Sequence, residues 1–263
     1  MGNKMSNLKE EIGKIVSLID LTSLNEDDTP EIINKLCKQS NSPLGTTAAV
    51  CVYPRFIPYA RKFLQGLNIS QVKIATVTNF PHGNDDLEVA FSETRAAVGY
   101  GADEIDVVLP YKALIAGNEK VARNLVRGCS AICGERTVLK VIIESGELKS
   151  PELIKKASVL SIEEGTNFIK TSTGKVNVSA TPEAAKIMLE TIREIGNGAN
   201  KISFKPAGGV KTLEDARIYI QLAEDILGKD WITPQTLRFG ASSLLPNLLA
   251  SAGIGSQGST SGY

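Results

Sequence analysis

Short apolar, β-branched segments recur along the chain at residues 15–19, 49–52, 74–77, 105–108, 139–143, 168–170, 202–205 and 237–239. Each is a few residues long and bounded by polar or glycine-containing stretches, the mark of a strand. With Ile19, Val50, Ala75, Asp106, Ile142, Ile169, Phe204 and Phe239 as markers, the steps run from 25 residues (Val50 to Ala75) to 36 (Asp106 to Ile142). Each step holds one strand, one helix and two loops, so the pattern predicts eight βα units.

The intervening segments carry helix punctuation. Thr29-Pro30-Glu31, Ser150-Pro151-Glu152 and Thr181-Pro182-Glu183 each offer a hydroxyl cap, a proline at the first helical position and early negative charge, and Thr212 is placed to cap another helix. Helices opening near Asn84 and Ser150 are predicted to run out at Gly99 and Gly165, and the one from Thr181 near Gly196, where glycine can adopt the left-handed exit conformation. No Pro/Ser-rich linker interrupts the alternation. The reading is therefore α/β, a (β/α)8 TIM barrel over residues 1–252 with a short N-terminal helical extension, followed by a flexible glycine- and serine-rich tail at 253–263. An open doubly wound sheet is the runner-up, but no G-x-G-x-x-G follows a strand to support it.

Composition narrows the class. With 29 basic and 29 acidic side chains the formal charge is zero, which removes the electrostatic footprint of a nucleic-acid or anionic-lipid binder. The N-terminus lacks the apolar core of a signal peptide and no segment reaches membrane-spanning length, so a cytoplasmic protein is expected; the opening MGNKMS fits a myristoylation pattern only loosely. A single histidine, His82, and four cysteines in dissimilar contexts (Cys37, Cys51, Cys129, Cys133) leave too few soft ligands for zinc, and no metal or cofactor is expected. His82, in Asn79-Phe80-Pro81-His82-Gly83, is read as structuring a loop.

The chemistry lies where a barrel should be dry. Side chains alternate across a strand, so Asp106 opposes Ile105 and Val107, Lys170 opposes Ile169 and Thr171, Lys205 opposes Phe204, Lys140 and Glu144 oppose Val141 and Ile143, and Asp20 opposes Ile19. Acids and lysines thus converge from five strands, a costly arrangement if packing were their only purpose. For Asp20, Lys140 and Glu144 a structural ion pair is a fair alternative. For Lys170 and Lys205, two ammonium groups at neighbouring strand ends, each disfavours the other's proton, and a deprotonated lysine is a nucleophile toward carbonyls.

Three loops at successive strand ends suit phosphate: Thr171-Ser172-Thr173-Gly174-Lys175, Ala207-Gly208-Gly209-Val210-Lys211 and Gly240-Ala241-Ser242-Ser243. Backbone N–H groups in glycine loops and at helix starts bind anions, and barrels commonly place that site after strands seven and eight. From the residues alone, a Schiff-base lysine acts on a phosphorylated carbonyl compound. Another lysine-dependent aldolase or transaldolase, or a catalytically silent sugar-phosphate binder, remain as alternatives, though the silent binder should have lost Lys170 or Asp106.

The chain closely resembles the class I deoxyribose-phosphate aldolase family over nearly its whole length. The resemblance rests on Asp20-Leu21-Thr22-Ser23-Leu24-Asn25, Val52-Tyr53-Pro54, Ala75-Thr76-Val77-Thr78-Asn79-Phe80-Pro81-His82-Gly83, Gly101-Ala102-Asp103-Glu104-Ile105-Asp106-Val107-Val108 and Lys140-Val141-Ile142-Ile143-Glu144. It continues through Phe168-Ile169-Lys170-Thr171-Ser172-Thr173-Gly174, Phe204-Lys205-Pro206-Ala207-Gly208-Gly209-Val210 and Phe239-Gly240-Ala241-Ser242-Ser243. It implies reversible retro-aldol cleavage of 2-deoxy-D-ribose 5-phosphate to D-glyceraldehyde 3-phosphate and acetaldehyde, in deoxynucleoside catabolism and without metal. Lys170 would form the Schiff base, Lys205 would perturb it, and Asp106 would act as general acid/base. The C-terminal Tyr263 would join proton transfer. Gly174, Lys175, Gly208, Gly209, Gly240, Ser242 and Ser243 would bind phosphate, with Asp20, Thr22, Cys51 and Lys140 in support. Lys211 stands where relatives often carry arginine and Thr46 where close relatives carry asparagine, both bearing on substrate affinity. The family suggests a homodimer, with small sugar phosphates and acetaldehyde as the other partners.

Overall fold

The computed structural model describes residues 2–195 and 202–255. The chain opens with helix α1 (Gly2–Val16) and then alternates: β1 (Ile19–Thr22), α2 (Pro30–Gln39), β2 (Ala49–Val52), α3 (Ile57–Gly66), β3 (Lys73–Thr78), α4 (Leu87–Gly99) and β4 (Glu104–Val108). Next come α5 (Tyr111–Ile115), α6 (Glu119–Cys133), β5 (Val138–Ile142), α7 (Ser145–Leu148), α8 (Pro151–Glu163), β6 (Phe168–Lys170) and α9 (Pro182–Ile195). The described chain finishes with β7 (Ser203–Lys205), α10 (Leu213–Leu227), β8 (Phe239–Ala241) and α11 (Leu244–Ser251). A small antiparallel ladder, Asn41–Ser42 with Gly45–Thr46, precedes β2.

The eight main strands are parallel, in the order β8-β1-β2-β3-β4-β5-β6-β7. Bridges from Phe204 to Leu237 and from Ala207 to Gly240 join β7 to the β8 segment and close the ring. The fold is a (β/α)8 TIM barrel, and the open-sheet alternative is excluded by that closure. The N-terminal helical extension is α1.

The caps follow the sequence signals. Thr29, Ser150 and Thr181 accept from Ile32, Leu153 and Ala184 backbone N–H groups, and Thr212 forms a reciprocal capping box with Asp215. Two signals read differently in three dimensions. Helix α4 is capped by Asp86 rather than from Asn84, whose backbone N–H instead donates to the Asn79 side chain. Its left-handed exit residue is Gly101, at φ +92°, rather than Gly99, which is still helical. Gly196, Tyr263 and most of the expected tail lie outside the described residues.

The first predicted strand is displaced. Ile15 and Val16 belong to α1, because Ile12, Ile15 and Val16 share one helical stripe that is buried against the barrel; the strand begins only at Ile19. A short apolar run at a helix–strand junction has no periodicity to divide it.

The apolar core splits in two. The larger part lies between the outward faces of the strands and the helices, with Ile19, Val50, Ile74, Ile105, Val107, Val141, Ile169 and Phe204 all buried there. Inside the barrel a smaller cluster of Leu24, Ala49, Cys51, Ala75 and Val77 fills the β2–β3 side. Its small side chains leave room for longer ones reaching in from the opposite strands.

Candidate active site

The inward positions of β4 to β7 and β1, joined by Arg238 just before β8, carry charge instead of branched apolar groups. Register sets the geometry: Asp106 is paired with Lys140, and Lys170 with Lys205, so the two lysines point inward side by side. Asp106 is fully buried at the hub. Its Oδ1 accepts from Lys140 Nζ at 2.8 Å, and its Oδ2 accepts from both Lys170 Nζ and Lys205 Nζ at 2.7 Å. Lys205 also donates to Asp20 Oδ2, while Lys140 reaches Glu104 at 2.6 Å and lies 3.6 Å from Asp20. Arg238 closes the floor, donating to Asp20 Oδ1 at 2.6 Å and holding Glu104 with two N–H groups at 3.0 and 3.2 Å.

Counting charges decides what this network does. Four cations, Lys140, Lys170, Lys205 and Arg238, face three carboxylates, Asp20, Glu104 and Asp106. Within this ion-paired set one cation is in excess, the Glu144 carboxylate lying outside it on Thr173, and an uncompensated charge is expensive there. Lys170 is the member with the weakest claim, since its single carboxylate contact is an oxygen shared with Lys205. Burial, together with the neighbouring Lys205 charge, outweighs Asp106 and lowers the Lys170 pKa. Burial also opposes charge on Lys205, but Asp106 and Asp20 overcome it and raise its pKa. Lys140 is raised likewise by Asp106 and Glu104 against burial. Burial would lift Asp106, yet the three lysines hold it far below the ordinary carboxylate range, so it stays ionised.

The same lysine meets the cavity. A pocket of about 310 Å³ opens beyond the C-terminal ends of β1, β6, β7 and β8, and among the described residues Lys170 alone of the buried charges borders it. Its wall brings together Thr22, Gly174, Lys175, Gly208, Gly209, Gly240, Ser242 and Ser243, with Lys211 at the rim. Gly208 sits at φ +80°, and a Cβ there would come within 2.5 Å of Ser179, so a side chain is excluded on both counts. At Gly240 a Cβ would lie 3.1 Å from Lys205 Cε, so its absence leaves that lysine its path. Lys175 spans the mouth to donate to the Leu24 carbonyl at 2.7 Å. Ser243, at the N-cap of α11, makes no side-chain bond to its own helix, which leaves first-turn N–H groups beside the cavity.

Other expected residues fall elsewhere. Glu144 forms no ion pair; its backbone is left-handed at φ +53°, and its carboxylate accepts from the Thr173 N–H and hydroxyl at 3.1 and 2.6 Å. Burial raises its pKa. Cys51 is buried on the apolar side of the interior, off the cavity wall, and burial raises its thiol pKa. Thr46 lies in the small ladder before β2 and does not line the cavity. His82 is exposed, and the loop around it is held by Asn79, whose side chain bonds Asn84 and Val108 carbonyls. Among the described residues no three His, Cys, Asp or Glu side chains are grouped to hold a metal ion, and no helix is long and apolar enough to cross a membrane. Arg238 and Glu104 were not singled out in the sequence, although alternation places Glu104 on the face of Asp106.

A family model described as DeoC/LacD family aldolase matches residues 14–248. The chain belongs to that aldolase family. A structure from Coccidioides immitis, provisionally assigned as a deoxyribose-phosphate aldolase, superposes with a TM-score of 0.78 at 26% identity, covering 91% of this chain and 86% of that one. One from Toxoplasma gondii with the same provisional assignment reaches 0.86 at 21% identity, covering 97% and 98%. The deoxyribose phosphate aldolase of Aeropyrum pernix, described as a unique tetramer, reaches 0.72 at 20% identity, covering 95% and 98%. The last two bear on the fold alone. The chain is thus an aldolase, a carbon–carbon lyase, with its conspicuous buried charges beneath the cavity at the usual functional face of the barrel.

Proposed function

We propose that this aldolase cleaves 2-deoxy-D-ribose 5-phosphate reversibly to D-glyceraldehyde 3-phosphate and acetaldehyde through an imine on Lys170, within deoxynucleoside breakdown. The observation that carries this reading is the position of Lys170, the single cation of an over-charged network that meets a cavity ringed on its far side by glycine loops.

Lys170 Nζ, as the free amine, adds to the C1 aldehyde of the open-chain sugar. The carbinolamine oxygen leaves as water, forming an iminium that draws electrons from the C2–C3 bond. That bond breaks as the C3 hydroxyl loses its proton, releasing glyceraldehyde 3-phosphate and leaving an enamine on Lys170. Protonation at C2 and hydrolysis return acetaldehyde and the amine. Lys205, which keeps its proton, serves as the donor when water leaves, and ionised Asp106 accepts and returns protons beside it. Each such proton transfer is worth roughly 10²–10⁴-fold. Gly174, Gly208, Gly209, Gly240, Ser242 and Ser243, with the Lys175 and Lys211 charges, hold the phosphate and so fix C1 over the amine.

The test is a substrate comparison. Ser242→Glu places a carboxylate in the anion site, where a like charge at ~4 Å costs roughly 1–4 kcal/mol depending on exposure, or about 5- to 10³-fold. Cleavage of 2-deoxyribose 5-phosphate should fall by that factor while unphosphorylated 2-deoxyribose is cleaved at its former rate. Equal losses for both substrates would put the phosphate elsewhere.

A further inference from the structure

Arg238 and Glu104 lie at the floor of the network, and neither borders the cavity. Both are nonetheless buried; Glu104 is spent on Lys140 and Arg238, and Arg238, apart from an Nε–H bond to the Pro234 carbonyl, on Asp20 and Glu104. A stabilising core would be made more cheaply from apolar groups at these two positions.

The bonds form a relay. Arg238 occupies Asp20 Oδ1, so Asp20 offers the lysines only Oδ2, which Lys205 contacts and Lys140 approaches at 3.6 Å. Lys205 therefore leans on Asp106 Oδ2 as well, the same atom that Lys170 needs. Without Arg238, both Asp20 oxygens would be available to Lys205 and Lys140, and Asp106 Oδ2 would fall to Lys170; the count becomes three cations against three carboxylates. Glu104 works in the opposite sense. It takes Lys140 at 2.6 Å, and without it Lys140 would press harder on Asp106 Oδ1, weakening the hold of that carboxylate on Lys170.

We propose that Arg238 and Glu104 are a matched pair of positioning residues that set how readily Lys170 gives up its proton, Arg238 loosening it and Glu104 tightening it through Asp20 and Asp106. The inference rests on the reading of Lys170 as the attacking amine. The groups facing Lys170 are Asp106 from β4, Lys205 from β7, Cys51 from β2 and Glu144 beyond the C-terminal end of β5, while Lys140 of β5 sits on the other oxygen of Asp106. Burial keeps Cys51 a thiol, and Glu144 is engaged by Thr173, so neither substitutes for the relay. Facing Arg238 are Asp20 from β1, Glu104 from β4 and the Phe168 ring of β6, whose centroid is 5.8 Å from the guanidinium carbon.

The experiment follows trapping of acetaldehyde on Lys170 by cyanoborohydride between about pH 5 and 10, quantified by peptide mass spectrometry in the full-length enzyme. In Arg238→Gln the midpoint should rise by about one pH unit, lowering trapping at neutral pH about tenfold and restoring it in alkali. In Glu104→Gln it should fall by about the same amount, and the double variant should return close to the unsubstituted enzyme. A purely structural role would lower the amplitude at every pH with an unmoved midpoint, which overturns the inference. If Arg238→Gln does not fold, Glu104→Gln decides alone, and a midpoint that stays or rises overturns it. Failure of the unsubstituted enzyme to trap at Lys170 would instead remove the reading on which the inference stands.

Discussion

Replacing Lys170 with methionine should lower aldol turnover by about 10⁴-fold or more, the scale of losing a covalent nucleophile, and at the same time raise the melting temperature. The two effects share one cause. The buried network holds four cations against three carboxylates, and Lys170 is the one left over. Methionine keeps an unbranched apolar chain of similar length and brings the charges into balance. A gain of about 1 kcal/mol would shift the melting temperature by roughly 2–4 °C in a barrel of this size. Its pH dependence has a definite sign. Because the folded pKa of Lys170 is depressed, the native state binds fewer protons than the unfolded chain between the two values. The stabilisation by methionine should therefore be largest at low pH and fade as pH rises through the ordinary lysine value. Thermal melts across pH provide the check; a methionine variant that melts lower at every pH would show that Lys170 is a stabilising member of the network.

Asp106→Asn should cost both activity and stability. Turnover should fall by roughly 10²–10⁴-fold, since an amide cannot exchange protons near neutral pH. Stability should fall by about 3–5 kcal/mol, because three ammonium groups lose the carboxylate between them. Sequence alone suggests that the amide, being nearly isosteric, would spare the fold. The hub position reverses that expectation. Since Asp106 is ionised far below the ordinary carboxylate range, its contribution persists above the ordinary value and is lost only in strong acid. Near neutral pH the variant should therefore show its full deficit in urea unfolding. An unfolding midpoint unchanged by Asp106→Asn would mean that the lysines shed their protons at no cost.

Much of this was legible because a strand has a strict period. Opposing Asp106 to Ile105 and Val107, and Lys170 to Ile169, was enough to put their side chains in the barrel, and the glycine loops after β6, β7 and β8 announced the cavity rim. What was missed has physical reasons. Arg238 lies one residue before β8, where the closing bridges are isolated and no ladder signals its side, and Glu104 looks like an ordinary strand-opening acid. Glu144 obeys parity on paper, yet its backbone is left-handed and its carboxylate is taken by Thr173 instead of joining the ion pairs. Ile15 was read into a strand because a run that ends a helix and nearly abuts a strand has no intrinsic divide. Above all, no pattern in one dimension shows that Lys170 and Lys205 share a single oxygen of Asp106, and that sharing is what singles out Lys170.

The most direct measurement is borohydride reduction of the enzyme in the presence of acetaldehyde, followed by peptide mapping. The expected result is a single two-carbon adduct on the peptide carrying Lys170, formed equally well with a chelator present and accompanied by loss of activity. An adduct on Lys205 with Lys170 unmodified would reverse the roles of the two lysines, and full activity surviving reduction without any adduct would contradict the imine altogether.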